Sequence, residues 1–400
     1  MGNLARTYCD QGKFDKAEQL EVQVLDMRKK LLGAEHPDTL KSMGNLAKTY
    51  CDQGNFDEAE QLQFQVLDMR MNLLGAGHPD TLTSLRNIAS TYHDQGKSDE
   101  AEQLEIKVLE MTKKLLGAEH PDTLISMGNL ASTYHDQGKF DEAEQLKVQV
   151  LDMMKKLLGE EHPDTLVSMG NLASTYRDQG NFDEAEQLEV KVLEIMKKLL
   201  GAEHPDTLTS MGNLARTYHK QGKLNEAEQL EVQVLGMRKK LLGAYHPKTL
   251  LSMGNLARTY CDQGKFDEAE QLEVQVLETR KKLLGAEHPK TILSMGNLAS
   301  TYQDQGKFDE TEQLMVQVLD IRTKLLGAEH PDTLVSMGNL ASTYRDQGKF
   351  DEAEQLEVKV LDMRKKLLGA EHPKTLLSLK NPATTYCDLR NFDNAEQLQV

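Results

Sequence analysis

One phrase, Leu-Leu-Gly-Ala-Glu-His-Pro-Asp-Thr-Leu, recurs along the chain with little change, and its glycine falls at Gly33, Gly75, Gly117, Gly159, Gly201, Gly243, Gly285, Gly327 and Gly369. The spacing is 42 residues every time. A period this strict, with no insertion, means that each unit is one supersecondary element burying its apolar face against its neighbours. The 400 residues are therefore read as a single elongated array, 1–400, in place of the two or three globular domains that such a length suggests.

Within one unit, Pro37 suits a first helical position and Asp38 adds favourable charge beside it. Leu40, Met43, Leu46, Ala47 and Tyr50 follow at helical spacing, which predicts a helix A ending near Gly54. Asp57 is expected to open a helix B, with Glu60 three residues on in a capping-box pattern. Ala59, Leu62, Val66, Leu67 and Met69 continue the apolar stripe, and Arg28, Lys29 and Lys30 show the cations that gather at the end of helix B, opposite the helix dipole. Joined by the Asp-Gln-Gly turn, the two helices make an antiparallel hairpin, so the fold class is all-α.

The run from Leu130 to Ala143, with Ala131, Tyr134, Gly138, Phe140 and Ala143 at set offsets, resembles the tetratricopeptide signature. The 42-residue period and the His-Pro-Asp-Thr linker are similar to the longer variant of kinesin light chains and nephrocystin-like proteins. The resemblance covers the whole chain. It implies a right-handed α-solenoid, a superhelix of about ten hairpins. The first and last hairpins are incomplete: Met1 matches Met43, and Val400 falls partway through a helix B. Neither end carries a polar capping helix, so the chain reads as part of something longer, with ends open to self-association. The last unit departs from pattern, since Pro382 replaces a helix A leucine and should break that helix, and Arg390 stands at the turn glycine.

A formal charge of -17 argues against nucleic acid and against membrane surfaces as partners. The sequence has no long apolar run and no basic-then-apolar leader, so a cytoplasmic protein is expected. Cys9, Cys51, Cys261 and Cys387 share one column of the repeat without any CxxC pairing and read as free thiols. Nine of the twelve histidines belong to the linkers, one per repeat, which gives zinc no convergent ligand set; they read as turn residues. With no phosphate loop, GxSxG or HExxH motif, the sequence points to no enzyme, no metal and no cofactor.

Ten copies of the unit allow columns to be compared within the chain. Steady apolar columns are core. Glycine inside helix A, at Gly44, Gly128, Gly170, Gly212, Gly254, Gly296 and Gly338, costs roughly 1 kcal/mol against alanine. Two readings are open for it, close helix packing or close approach of a ligand backbone. The resemblance places this column on the concave surface. It places the adjacent asparagine where such proteins hydrogen-bond a bound peptide, although a bond between hairpins would use the amide equally well. Three columns vary, Lys41/Thr83/Ile125, Lys48/Ser90/Ser132/Arg216 and Cys51/His93/His135/Arg177; helical spacing puts the last two on one face, which the resemblance makes the lining of the groove. Against the acidic background, Arg177, Arg216, His219, Lys220 and Arg258 come from three successive helices A. With Asn171, Asn213 and Asn255 they form the candidate peptide-binding site, suited to an acidic extended segment; the bland reading is surface charge paired with Asp178 and Asp262. The function expected is a non-enzymatic scaffold or adaptor like the cargo-binding region of kinesin light chains. The alternative is the C-terminal sensor of a larger nucleotide-binding signalling ATPase of the nephrocystin-like kind.

Overall fold

The computed structural model describes residues 2–10, 13–372, 374–379 and 385, and it falls into two compact units, Met1–Leu199 and Leu200–Val400. Pro382, Cys387, Arg390, Met1 and Val400 lie outside the described residues. The first unit contains α1 (Gly2–Asp10), α2 (Phe14–Leu32), α3 (Pro37–Gln53), α4 (Phe56–Leu74) and α5 (Pro79–Asp94). It continues with α6 (Ser98–Leu116), α7 (Pro121–Asp136), α8 (Phe140–Leu158) and α9 (Pro163–Gln179), and α10 (Phe182–Leu200) runs to its boundary. The second unit contains α11 (Pro205–Lys220), α12 (Leu224–Leu242), α13 (Pro247–Asp262) and α14 (Phe266–Leu284). After these come α15 (Pro289–Asp304), α16 (Phe308–Leu326), α17 (Pro331–Asp346) and α18 (Phe350–Leu368). Among the described residues there is no strand; each unit is an α-solenoid stack of helical hairpins, in which packing joins consecutive helices.

The linker phrase explains the start of each helix A that follows it. Gly117 takes φ 91°, a conformation open to glycine, and its carbonyl accepts the Thr123 hydroxyl at 2.7 Å. His120 is extended, and its Nδ1 accepts the backbone N–H of Asp122 at 3.1 Å; His36 does the same for Asp38 at 3.2 Å. The linker histidines are thus helix N-caps that use a ring nitrogen where Ser or Asp oxygen is usual. Pro121 follows at the first helical position, where its missing N–H leaves no bond unmade.

Helix A ends as expected, at Gly54 in the left-handed region with φ 83°. The Asp57–Glu60 capping box does not form. α4 begins one residue earlier, at Phe56, and the side chain of its cap Asn55 makes no capping bond to the helix, its amide donating instead to Gln53 Oε1 at 3.4 Å. The Asn55 N–H already donates to the Tyr50 carbonyl of helix A at 2.8 Å, so a glutamate has nothing to reciprocate. Arg28 does more than face the dipole: its Nη1 donates to the Asp38 carbonyl at 2.8 Å and to Ser42 Oγ at 2.7 Å, tying α2 to α3.

The core lies between a helix B and the hairpin that follows it. Leu25 of α2 meets Leu40, Met43 and Leu46 of α3 and Val66 of α4, with Tyr50, Leu62 and Met69 packed alongside. The pattern recurs as Leu235, Leu250, Met253, Leu256 and Val276 in the second unit. The tyrosine column is half-buried: Lys97 Nζ sits 5.5 Å from the centre of the Tyr92 ring, and the Tyr92 hydroxyl donates to Glu60 Oε1 at 3.2 Å.

Candidate functional site

Opposite this core, helix A presents a face built at steps of three and four residues. On α3 it comprises Lys41, Gly44, Asn45, Lys48, Cys51 and Asp52. A Cβ built at Gly44 would meet nothing within 4 Å, and the same holds at Gly128, Gly170, Gly212, Gly254, Gly296 and Gly338. Close helix packing therefore does not account for these glycines, and they leave the face open. The asparagines beside them behave alike. Asn171 is exposed, Asn213 and Asn255 are half-exposed, and their amides make no hydrogen bond to the described residues.

In the first unit this face borders a cleft of about 400 Å³ between α3 and α5, floored by Gln63, Val66 and Arg70 of α4. Four repeats along, the same columns hold Gly212, Asn213, Arg216, His219 and Lys220 on α11, Glu231 and Arg238 on α12, and Asn255 and Arg258 on α13. Six of the eight candidate residues thus occupy rim positions on two helices that both pack against α12. Asn171 and Arg177 belong to α9 in the first unit.

The charges of the cluster divide. Arg216, Lys220 and Arg258 are exposed and have no ion-pair or hydrogen-bond partner among the described residues. His219 Nε2 contacts Asp262 Oδ2 at 2.5 Å, and His135 Nε2 contacts Asp178 Oδ2 at 2.9 Å, so those histidines are engaged along the face. Arg177 is not an open groove cation. Its side chain is 6% exposed, and the guanidinium pairs with Glu189 Oε1 at 2.8 Å and donates to Ser174 Oγ at 3.0 Å. A buried carboxylate on the next helix draws it in, and spacing within helix A alone could not show that.

That carboxylate belongs to a column missed in the sequence: Glu21, Gln63, Glu105, Lys147, Glu189, Glu231, Glu273, Met315 and Glu357. It lies on the buried side of helix B and faces the threonine of the following helix A. Thr49 Oγ1 donates to Glu21 Oε2 at 2.7 Å and Thr301 Oγ1 to Glu273 Oε2 at 2.7 Å, and Lys147 Nζ donates to Thr175 Oγ1 at 2.6 Å. Burial pushes the carboxyl of Glu231 up to about 7 and that of Glu273 up to about 6, against a bond from Thr301 that lowers the latter. Burial likewise lowers Lys147. The signal was present: the column sits four residues after the buried alanine and three before the buried valine, on the apolar stripe, yet is polar in eight of these nine copies. Among the described residues, no group of three or more His, Cys, Asp or Glu side chains is placed to hold a metal ion. No helix there is long and apolar enough to cross a membrane.

A family profile described as tetratricopeptide repeat matches residues 1–72, 45–114, 80–156, 133–198 and 290–366, and a second with the same description matches 207–248 and 249–290. None of the curated proteins matches the chain. Among solved structures, a Podosopora anserina protein provisionally identified as a kinesin light chain, with nearly identical repeats, is 38% identical over 52% of this chain and 99% of its own, with a TM-score of 0.49. BtubC (BKLC) from P. vanneervenii is 21% identical over 58% of this chain and 94% of its own, with a TM-score of 0.50. A signal transduction ATPase with a tetratricopeptide repeat sensor, from Pyrococcus horikoshii, is 14% identical over 85% of this chain and 52% of its own, with a TM-score of 0.53.

Proposed function

Because the chain belongs to the tetratricopeptide repeat family, we propose that it is a cytoplasmic, non-enzymatic scaffold that holds an extended peptide along the glycine–asparagine face of its helices A, as a kinesin-light-chain-like adaptor does. The observation that carries this reading is the open space at Gly44, Gly128, Gly170, Gly212, Gly254, Gly296 and Gly338, each beside an asparagine amide with no partner among the described residues. A mid-helix glycine lowers stability by roughly 1 kcal/mol, and an amide can donate and accept to a peptide backbone at once. Such a ladder suits main-chain recognition, which tolerates many sequences. The varying columns then choose among them. Around α11 and α13 the free cations Arg216, Lys220 and Arg258 favour an acidic segment, as charge-assisted bonds to carboxylates do. The register of 42 residues runs unbroken through Gly201, which supports one continuous array over 1–400.

A second reading, in which the array is the sensor part of a larger signalling ATPase, draws on the likeness in fold to the Pyrococcus horikoshii protein and uses the same face. The experiment common to both is selection of peptides from a random 20-residue library on the full chain. Acidic peptides are expected, with binding that weakens at least tenfold in R216A/R258A and falls with added salt. Binding unchanged in that variant and insensitive to salt refutes the basic cluster; the absence of any bound peptide refutes the scaffold reading.

A further inference from the structure

The floor of the candidate site carries a charge opposite to its rim. Glu231 of α12 is 7% exposed, and its Oε2 has no hydrogen-bond partner. A buried carboxylate oxygen left unpaired is costly and is ordinarily met by a donor or a cation. The groups that interact with Glu231 are Thr259 and Tyr260 on α13 and Glu228 on its own helix, and His219 of α11 stands twelve residues before it in the sequence. Glu228 is paired with Lys265 at 2.7 Å, and His219 is drawn to Asp262 at 2.5 Å. Neither Arg216 nor Arg258 forms an ion pair with Glu231.

Elsewhere the chain shows which group fits this position. On α10, the same column holds Glu189, which takes the Arg177 guanidinium at 2.8 Å with both side chains buried. Arg345 approaches Glu357 in the same way, Nε to Oε1 at 3.8 Å. In both, the cation comes from the helix A column that His219 occupies in the Glu231 repeat. The pocket geometry of the repeat therefore accommodates a guanidinium against the floor carboxylate, and the Glu231 repeat supplies none from its own chain.

We propose that Glu231 receives a basic side chain, a guanidinium or ammonium, from the bound peptide. The proposal rests on the peptide-binding reading and refines it: the partner carries one Arg or Lys that descends between α11 and α13, beside acidic residues that meet Arg216 and Arg258 on the rim. Burial holds the empty carboxyl near neutrality, with a value of about 7, so seating a cation displaces a proton from Glu231.

The test uses the full chain, E231Q and H219R. E231Q keeps the shape and has a counterpart in Gln63, which exchanges bonds with Thr91 at 2.9 and 3.0 Å. H219R places a guanidinium where Arg177 and Arg345 have theirs, occupying the carboxylate from within. For a peptide selected from the 20-residue random library, three changes are expected to weaken binding at least tenfold each: E231Q, H219R, and replacing the peptide's basic residue by citrulline or norleucine. E231Q combined with the altered peptide should lose no more than either change alone. Peptides that bind through Arg216 and Arg258, yet lack a basic residue or bind E231Q equally well, overturn the proposal while leaving the scaffold reading in place. If the library yields no binder, the scaffold reading fails, and arginine amide at millimolar concentration becomes the probe. A drop of one unit or more in the apparent pKa of Glu231, followed by carboxyl carbon NMR and absent in H219R, upholds the cation site; no movement overturns it.

Discussion

Replacing Glu231 by glutamine should change how the stability of the second unit depends on pH. The folded carboxyl sits at about 7, against 4.5 for an unperturbed one, because burial disfavours its charged form. Below pH 4.5 the group is protonated in both states and costs little. Between that value and about 7 the unfolded chain releases its proton and the folded chain does not, so stability falls as pH rises and levels off above the folded value. At about 1.4 kcal/mol per unit, the loss amounts to about 3 kcal/mol at pH 8. E231Q carries no such titration, and Gln63 shows that an amide can exchange hydrogen bonds with the facing threonine. Urea unfolding followed by far-UV circular dichroism should give similar midpoints for the two proteins near pH 4.5. At pH 8 the variant should unfold later, by on the order of 1 M urea for a slope of about 3 kcal/mol per M. A difference between variant and wild type that is the same at both pH values would refute the reasoning, since burial would then not be what sets the charge of Glu231.

Gly254→Ala meets no atom within 4 Å and should raise the melting temperature through a helix propensity gain of about 1 kcal/mol, while weakening peptide binding; a loss of stability would show the site to be packed after all. Arg177→Ala strands Glu189 in a buried position and should cost about 3 kcal/mol or more in chemical denaturation, whereas Arg258→Ala, exposed and unpaired, should stay within about 0.5 kcal/mol. His246→Ala removes the ring nitrogen that accepts the Lys248 amide and should cost about 1 kcal/mol, with faster hydrogen exchange in the first turn of α13.

Periodicity made most of the fold legible. Leu40, Met43, Leu46, Ala47 and Val66 are buried as their spacing predicts, because a helix face is fixed by sequence distance alone. The same logic placed Asn213, Arg216, Asn255 and Arg258 on one side of helix A. What stayed hidden depends on a second helix. Arg177 shares the spacing of an open residue, yet Glu189, twelve residues on and on the partner helix, pulls it under. Glu231 lies on an apolar stripe, so its chemistry shows only when the threonine of the next hairpin is set against it. The linker histidines read as turn residues because an imidazole acceptor is an uncommon cap, although their position before Pro-Asp marks a helix start.

Packing that runs chiefly between successive helices, combined with a linker of constant length, has a consequence for inheritance. Removing or duplicating a whole number of 42-residue units joins interfaces that already match, so neighbouring hairpins meet as before. Unequal recombination among near-identical repeats would therefore lengthen or shorten the array at little cost to folding. Each exchanged hairpin would carry its own residues at the Arg216, His219 and Glu231 columns. Recognition in such a chain could change by reordering existing modules, well before point substitutions accumulate.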